Sequence, residues 1–94
     1  MADTVTVMIP TALRQHVEGQ DTLEVDGGSV GEVLGTLTQR YPDLGQRLFK
    51  SADELNRFVN VYVNDEDIRF LDNLGTALNA GDEVSIVPAI AGGR

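Results

Sequence analysis

Only one long stretch of this 94-residue chain has the spacing of a helix, and it lies between segments that alternate. In "SVGEVLGTLTQRYP", Val30, Val33, Leu34 and Leu37 recur at i, i+3, i+4 and i+7, which is one apolar stripe of a helix. Ser29 followed three residues later by Glu32 has the pattern of a capping box, and Pro42 stops the run. Tyr41 extends the same face. Gly31 and Gly35 each cost about 1 kcal/mol against alanine inside a helix. They are expected where the helix lies tight on a sheet. A lone amphipathic helix has nothing of its own kind to pack on, so its stripe must cover one face of one sheet.

The flanking segments supply that sheet. In "TVTVMIP", Val5, Val7 and Ile9 fall on one side and Thr4, Thr6 and Met8 on the other, up to Pro10. A loop with Arg14, Gln15 and His16 leads to "DTLEVDGG", a strand with Leu23 and Val25 inward and a turn at Asp26-Gly27-Gly28. After the helix, Leu44, Leu48 and Phe49 predict a short helical turn, then a polar loop through Asn56. "RFVNVYVNDED" is the clearest strand: Val59, Val61 and Val63 share one face, and Phe58, Asn60 and Tyr62 the other. "IRFL" reads as a short edge segment. "NAGDEVSIVP" turns at Ala80-Gly81 into a last strand with Val84 and Ile86 on one face. The order β-β-α-β-(β)-β is the β-grasp layout of ubiquitin-like domains. The expected class is α+β, a mixed sheet of four to five strands with one main helix on one face. The domain is expected over residues 1–88, with a flexible tail over 89–94.

Composition narrows the function. The absence of cysteine excludes a disulfide framework, a thiolate metal site and a cysteine nucleophile. No apolar stretch approaches the length of a membrane span, and the N-terminus lacks the basic and apolar regions of a signal peptide. These features point to a cytoplasmic protein. A net charge of −8 repels nucleic acid and anionic membranes and steers the chain toward basic partner surfaces. There is neither a P-loop nor a G-x-G-x-x-G motif. His16 has no cysteine partner. Asn64, Asp65, Glu66 and Asp67 lack the glycine and distant glutamate of a calcium loop and read as a solvated turn, balanced by Arg57 and Arg69. No metal site, bound cofactor, acid–base pair or triad is expected.

Attention therefore passes to "PAIAGGR". Glycine has no Cβ and can thread a gap that admits no side chain. From Pro88 to Gly93 the segment can span about 17 Å. A Gly-Gly tail on a rigid domain is shaped to enter another protein's narrow active site. There a glycine carboxylate can be activated as an acyl-adenylate and converted by sulfide to a thiocarboxylate.

The layout, the segment "NAGDEVSIVPAIAGG" and the tail together resemble the small sulfur carriers of the MoaD/ThiS family. "IPTALR", "RFVNVYVNDEDIRF" and "AGDEVSIVPAIAGG" resemble a cysteine-biosynthesis branch of that family. The resemblance implies a MoeB/ThiF-like adenylating enzyme that uses ATP and a sulfide source. It implies a cysteine synthase-like acceptor working on O-phosphoserine, and a zinc JAMM-type peptidase that releases cysteine. By this match Gly93 carries the sulfur and Gly92 gives it access. Arg94 departs from the pattern and is expected to be removed first, by the same class of peptidase.

A short tail needs a docking surface. Strand alternation puts Phe58 and Tyr62 on the face away from the helix, with Val87 and Ile90 extending toward the tail, and aromatic anchors mark interface centres. Within the carrier class, molybdopterin, thiamine and thiosugar precursors are alternative acceptors. A ubiquitin-like modifier joined through Gly93 to lysines is a second function, and a binding module using only its sheet face is a third.

Overall fold

The computed structural model describes residues 4–51, 54–57 and 59–88. Strand β1 (Thr4–Met8) and β2 (Thr22–Asp26) form an antiparallel hairpin-like pair, with Val5 opposite Val25 and Val7 opposite Leu23. The connection is a 3-10 helix, Thr11–Val17, rather than an open loop. Its Leu13 and Val17 are buried, and the Arg14 Nε donates to the Ile9 carbonyl at 3.1 Å. An apolar pair four residues apart is too short a period to reveal itself by pattern alone.

Helix α1 (Val30–Arg40) buries Val30, Val33, Leu34 and Leu37 as their spacing predicts. The Ser29 Oγ accepts from the Glu32 N–H at 3.2 Å, and Glu32 reaches back to accept from the Gly28 N–H at 2.9 Å. The capping box thus closes one residue earlier than in its standard form. Pro42 ends α1 and also opens α2 (Pro42–Leu48), where its fixed φ and missing N–H suit the first helical position. The two internal glycines behave differently from expectation. A Cβ at Gly31 would stand 3.1 Å from the Leu74 carbonyl oxygen, so the close approach is to a loop and not to the sheet. A Cβ at Gly35 would meet nothing within 4 Å. The tight helix contact lies instead at Gly45 of α2, where a Cβ would collide with the Thr38 side chain.

Residues expected as a polar loop form a small separate sheet of β3 (Phe49–Ser51) and β4 (Glu54–Leu55). Strand β5 (Val59–Val63) turns through Asn64 and Asp65, at φ 51° and 73°, into β6 (Glu66–Asp67). "IRF" is a 3-10 turn, Ile68–Phe70, not a strand: Asp67 caps it by accepting from the Arg69 N–H at 2.8 Å. A second turn, Asn73–Gly75, leads to a crossing stitched to the start of α1 by Val30 N–H to Thr76 O (3.0 Å) and Leu78 N–H to Gly28 O (2.9 Å). Strand β7 (Glu83–Pro88) follows a turn at Gly81, φ 90°.

The main sheet has five strands in the order β2-β1-β7-β5-β6. β7 runs parallel to β1 and antiparallel to β5, so the last strand sits at the centre. This is the mixed β-grasp sheet, with α1 on one face. Val5, Val7, Val25, Val61, Val84 and Ile86 from the sheet close on Val33, Leu34 and Leu37 from α1, and Leu44 and Leu48 of α2 complete the core. Among the described residues, no helix is long and apolar enough to cross a membrane.

Candidate functional site

The site is built from the strand positions that α1 does not cover. Side chains of paired residues share a face and alternate along each strand. With the observed registers, Thr22, Met8, Ser85, Tyr62 and Asp67 form one row across all five strands. Toward the end of β7 the next row is Val87 beside Asn60. In the other direction the row is Glu24, Thr6 and Glu83, and beyond it Asp26, which accepts from the Thr4 hydroxyl at 2.8 Å. The outer face is therefore graded. It is acidic at the start of β7 and apolar where β7 ends.

Met8 and Val87 are 39% and 40% exposed, and Tyr62 is half-buried between them and the β6 edge. The remaining exposed large apolar side chain among the described residues is Phe70, in the turn after β6. The structure brings Tyr62 and Val87 together as expected, diagonally across the β5–β7 ladder. Phe58 and Ile90, expected to share this patch, lie outside the described residues, as do Gly92, Gly93 and Arg94. Met8 is an addition. Its place on the uncovered side follows from alternation, but its position beside Ser85 depends on the parallel β1–β7 pairing, which no local pattern announces.

At the β6 edge the Asp67 carboxylate is almost fully buried and clasped by Arg69. The Arg69 Nη2 donates to Oδ2 at 2.7 Å, and Nε donates to Oδ1 at 3.1 Å. The side-chain and backbone hydrogen bonds from Arg69 hold the Asp67 carboxyl below the usual carboxylate range. Asp67 in turn raises the Arg69 guanidinium, with a smaller contribution from Tyr62. Of the acids expected in a solvated turn, Asp67 is thus buried and committed to structure, while Asp65 and Glu66 are exposed. Asn64 donates to the Asp82 carboxylate at 3.1 Å and accepts from the Glu83 N–H at 3.0 Å, tying the turn to β7. Among the described residues, no group of three or more histidine, cysteine, aspartate or glutamate side chains is placed to hold a metal ion.

A wider concavity lies elsewhere, about 750 Å³ on the helix side, lined by residues such as Gly35, Thr38, Gln46 and Phe49. Among the described residues no titratable side chain lines it, so they offer nothing for proton transfer there. What the domain does offer is a central strand that delivers its end beside an apolar patch. β7 finishes with Pro88 opposite Val59. A partner seated on Met8, Tyr62 and Val87 would therefore lie beside the point from which residues 89–94 continue.

Comparison with known proteins identifies the family to which this fold belongs. The ThiS family profile matches residues 7–93. The chain is 48% identical over 91 residues to the sulfur carrier protein CysO of Mycobacterium tuberculosis, covering 95% of this chain and 98% of that one. It superposes on CysO from the crystal structure of the Amycolatopsis orientalis BexX/CysO complex with a TM-score of 0.87. That match has 45% identity and covers 95% of this chain and 99% of the other. The solution structure of small archaeal modifier protein 1 from Methanosarcina acetivorans also gives a TM-score of 0.87, at 33% identity over 99% of both chains. By fold, sequence and extent of match, the chain belongs to the ThiS family of sulfur carriers.

Proposed function

We propose that this carrier works through Gly93, whose α-carboxylate a partner enzyme converts to a thiocarboxylate. The observation that carries the reading is the extent of the family match. It runs from Val7 to Gly93 and leaves Arg94 outside. The chain is a protein co-substrate and not itself an enzyme.

The chemistry balances without any group on the domain. A MoeB/ThiF-like enzyme joins the carboxylate to the α-phosphorus of ATP, expelling pyrophosphate. Sulfide attacks the acyl carbon, AMP leaves, and a C–S bond replaces a C–O bond. The ATP and sulfide source belong to that partner, in a cytoplasmic setting. Gly92 keeps the approach to Gly93 slender. Any residue beyond Gly93, Arg94 among them, has to leave first, and a JAMM-type metallopeptidase is the class of enzyme for that cut. The favoured acceptor is a cysteine synthase-like enzyme using O-phosphoserine, because the relatives matched at 48% and 45% identity along nearly the whole chain are CysO proteins. Met8, Tyr62 and Val87, with Phe58 and Ile90 beyond the described residues, form the docking patch.

A second reading has its own support. The match to a small archaeal modifier covers nearly the full chain, so Gly93 can also be joined to lysines of other proteins. Molybdopterin, thiamine and thiosugar precursors are the alternative acceptors.

Intact-mass spectrometry tests the proposal. A chain ending at Gly93, incubated with ATP, sulfide and a MoeB/ThiF-like enzyme, should gain the mass difference of one sulfur for one oxygen. The chain that retains Arg94 should not. An unchanged mass contradicts the carrier chemistry, and a sulfurated chain with Arg94 intact contradicts the trimming step. High-mass conjugates in place of the small shift favour the modifier reading.

A further inference from the structure

Two of the chain's few cations converge on a hollow beside the root of the tail. The hollow holds about 230 Å³ and lies between the edge of β5 and the segment Leu55–Arg57. Arg57, Asn60, Val61, Arg69 and Asn73 are among its lining residues, and so is Val59, the residue opposite Pro88.

The edge itself is incomplete. β5 pairs with β7 along its whole length but with β6 only through Tyr62 and Val63. In a hairpin closed by a two-residue turn, the closing pair, here Val63 and Glu66, exchanges both backbone hydrogen bonds. Alternation then turns the N–H of Asn60 and Tyr62 toward β7, and that of Val61 toward the hollow. No strand among the described residues pairs there.

Arg69 is exposed but not free to wander. Asp67 engages its Nε and Nη2, which fixes the plane of the guanidinium and leaves both hydrogens of Nη1 for another acceptor. Arg57, Arg69 and Asp67 sum to one positive charge at a spot on a chain of net charge −8. A planar guanidinium held in place, a second guanidinium and a backbone N–H match the two oxygens of a carboxylate.

We infer that this hollow receives an aspartate or glutamate side chain of the protein that takes up the tail. The inference rests on the delivery reading above. Adjacency to the apolar row supplies the continuity, since Asn60 belongs both to that row and to the hollow. The acidic remainder of the surface repels a carboxylate, so the hollow also sets the angle at which an acidic partner group can approach.

The test uses the full-length, ¹⁵N-labelled chain and N-acetylglutamate α-amide at constant ionic strength. The Nε–H signals of Arg57 and Arg69 and the Val61 amide should shift saturably. N-acetylglutamine amide should leave them in place. Arg57→Gln, an exposed substitution that spares the Asp67 clasp, should weaken the apparent affinity by about tenfold, the scale of one lost charge-assisted hydrogen bond. It should also raise the adenylating enzyme's KM for the carrier and leave kcat unchanged.

Shifts that follow ionic strength alone, or that saturate with unchanged affinity in Arg57→Gln, overturn the inference. So does an unchanged KM. Tighter saturation by inorganic phosphate would make it a phosphate site instead. If the carboxylate binds only after residues 89–94 are deleted, the chain's own terminus is the occupant and the partner assignment is wrong. None of the titrations needs sulfur chemistry. A chain that binds the carboxylate but is never thiocarboxylated overturns the carrier reading alone.

Discussion

The two faces of the main sheet are made by the same strands, one residue out of phase, and have opposite fates. On the covered face, Val84 is fully buried and Ile86 is 2% exposed, whereas Val87, the next residue, is 40% exposed. Across β1, β2, β5 and β7 the inner face is apolar because these positions meet α1 or its neighbours, and at the β6 edge it opens to solvent at Glu66. The outer face is graded, from Glu24 and Glu83 through Met8 and Tyr62 to Val87. Burial makes the inner positions that pack on α1 the ones that matter to stability. On the outer face, in the proposed delivery of Gly93, what matters is distance from the end of β7.

The comparison can be broken most sharply on β7. Ile86→Ala should cost about 2–5 kcal/mol of unfolding free energy, read from urea denaturation. A loss below about 1 kcal/mol would mean that the inner face is not the core. On the other side, Tyr62→Ala combined with Val87→Ala should leave the fold within about 1 kcal/mol of the parent. The same pair should weaken binding to the adenylating enzyme by about 2 kcal/mol, roughly thirtyfold, as removal of interface anchors does. Calorimetric titration checks this, and unchanged affinity would remove the patch from the account.

Ser29→Ala touches neither face directly. It deletes the acceptor for the Glu32 N–H and should cost about 1 kcal/mol in stability with no change in partner affinity. The smallest effect concerns acid. Arg69 depresses the Asp67 carboxyl, so the native state holds its proton less tightly than the unfolded chain does. That contribution is complete above the ordinary aspartate value of about 3.9 and fades as pH falls below it toward the depressed value. Urea midpoints taken from about pH 6 down to about pH 2 should show a shallower acid decline in Asp67→Asn than in the parent. Parallel profiles would show that the clasp makes no difference to folding.

Much of this was legible in the chain because the relevant signals are local. Alternation in "VNVYV" and "EVSIVP" assigned each residue to a face, and the stripe in "SVGEVLGTL" assigned α1. The misreadings share another cause. Gly31 and Gly35 look alike in sequence, yet one abuts Leu74 and the other opens into space, because the Asn73–Gly75 turn comes from far along the chain. The segment around Phe70 has strand-like residues, but Asp67 caps a 3-10 turn there through the Arg69 N–H. Met8 joins the proposed docking patch only through the parallel register with β7. Long-range contact decided the glycines and Met8, and spacing within a short window does not record it; the Asp67 cap is local, but alternation does not register it.

Cross-saturation NMR on the complex with the adenylating enzyme bears most directly on the division of labour between the faces. A deuterated carrier bound to protonated enzyme should lose intensity at Met8, Asn60, Tyr62, Ser85 and Val87, while the α1–α2 groove around Gly35 and Gln46 stays silent. Saturation centred on that groove, with the β7–β5 rows untouched, would contradict the account.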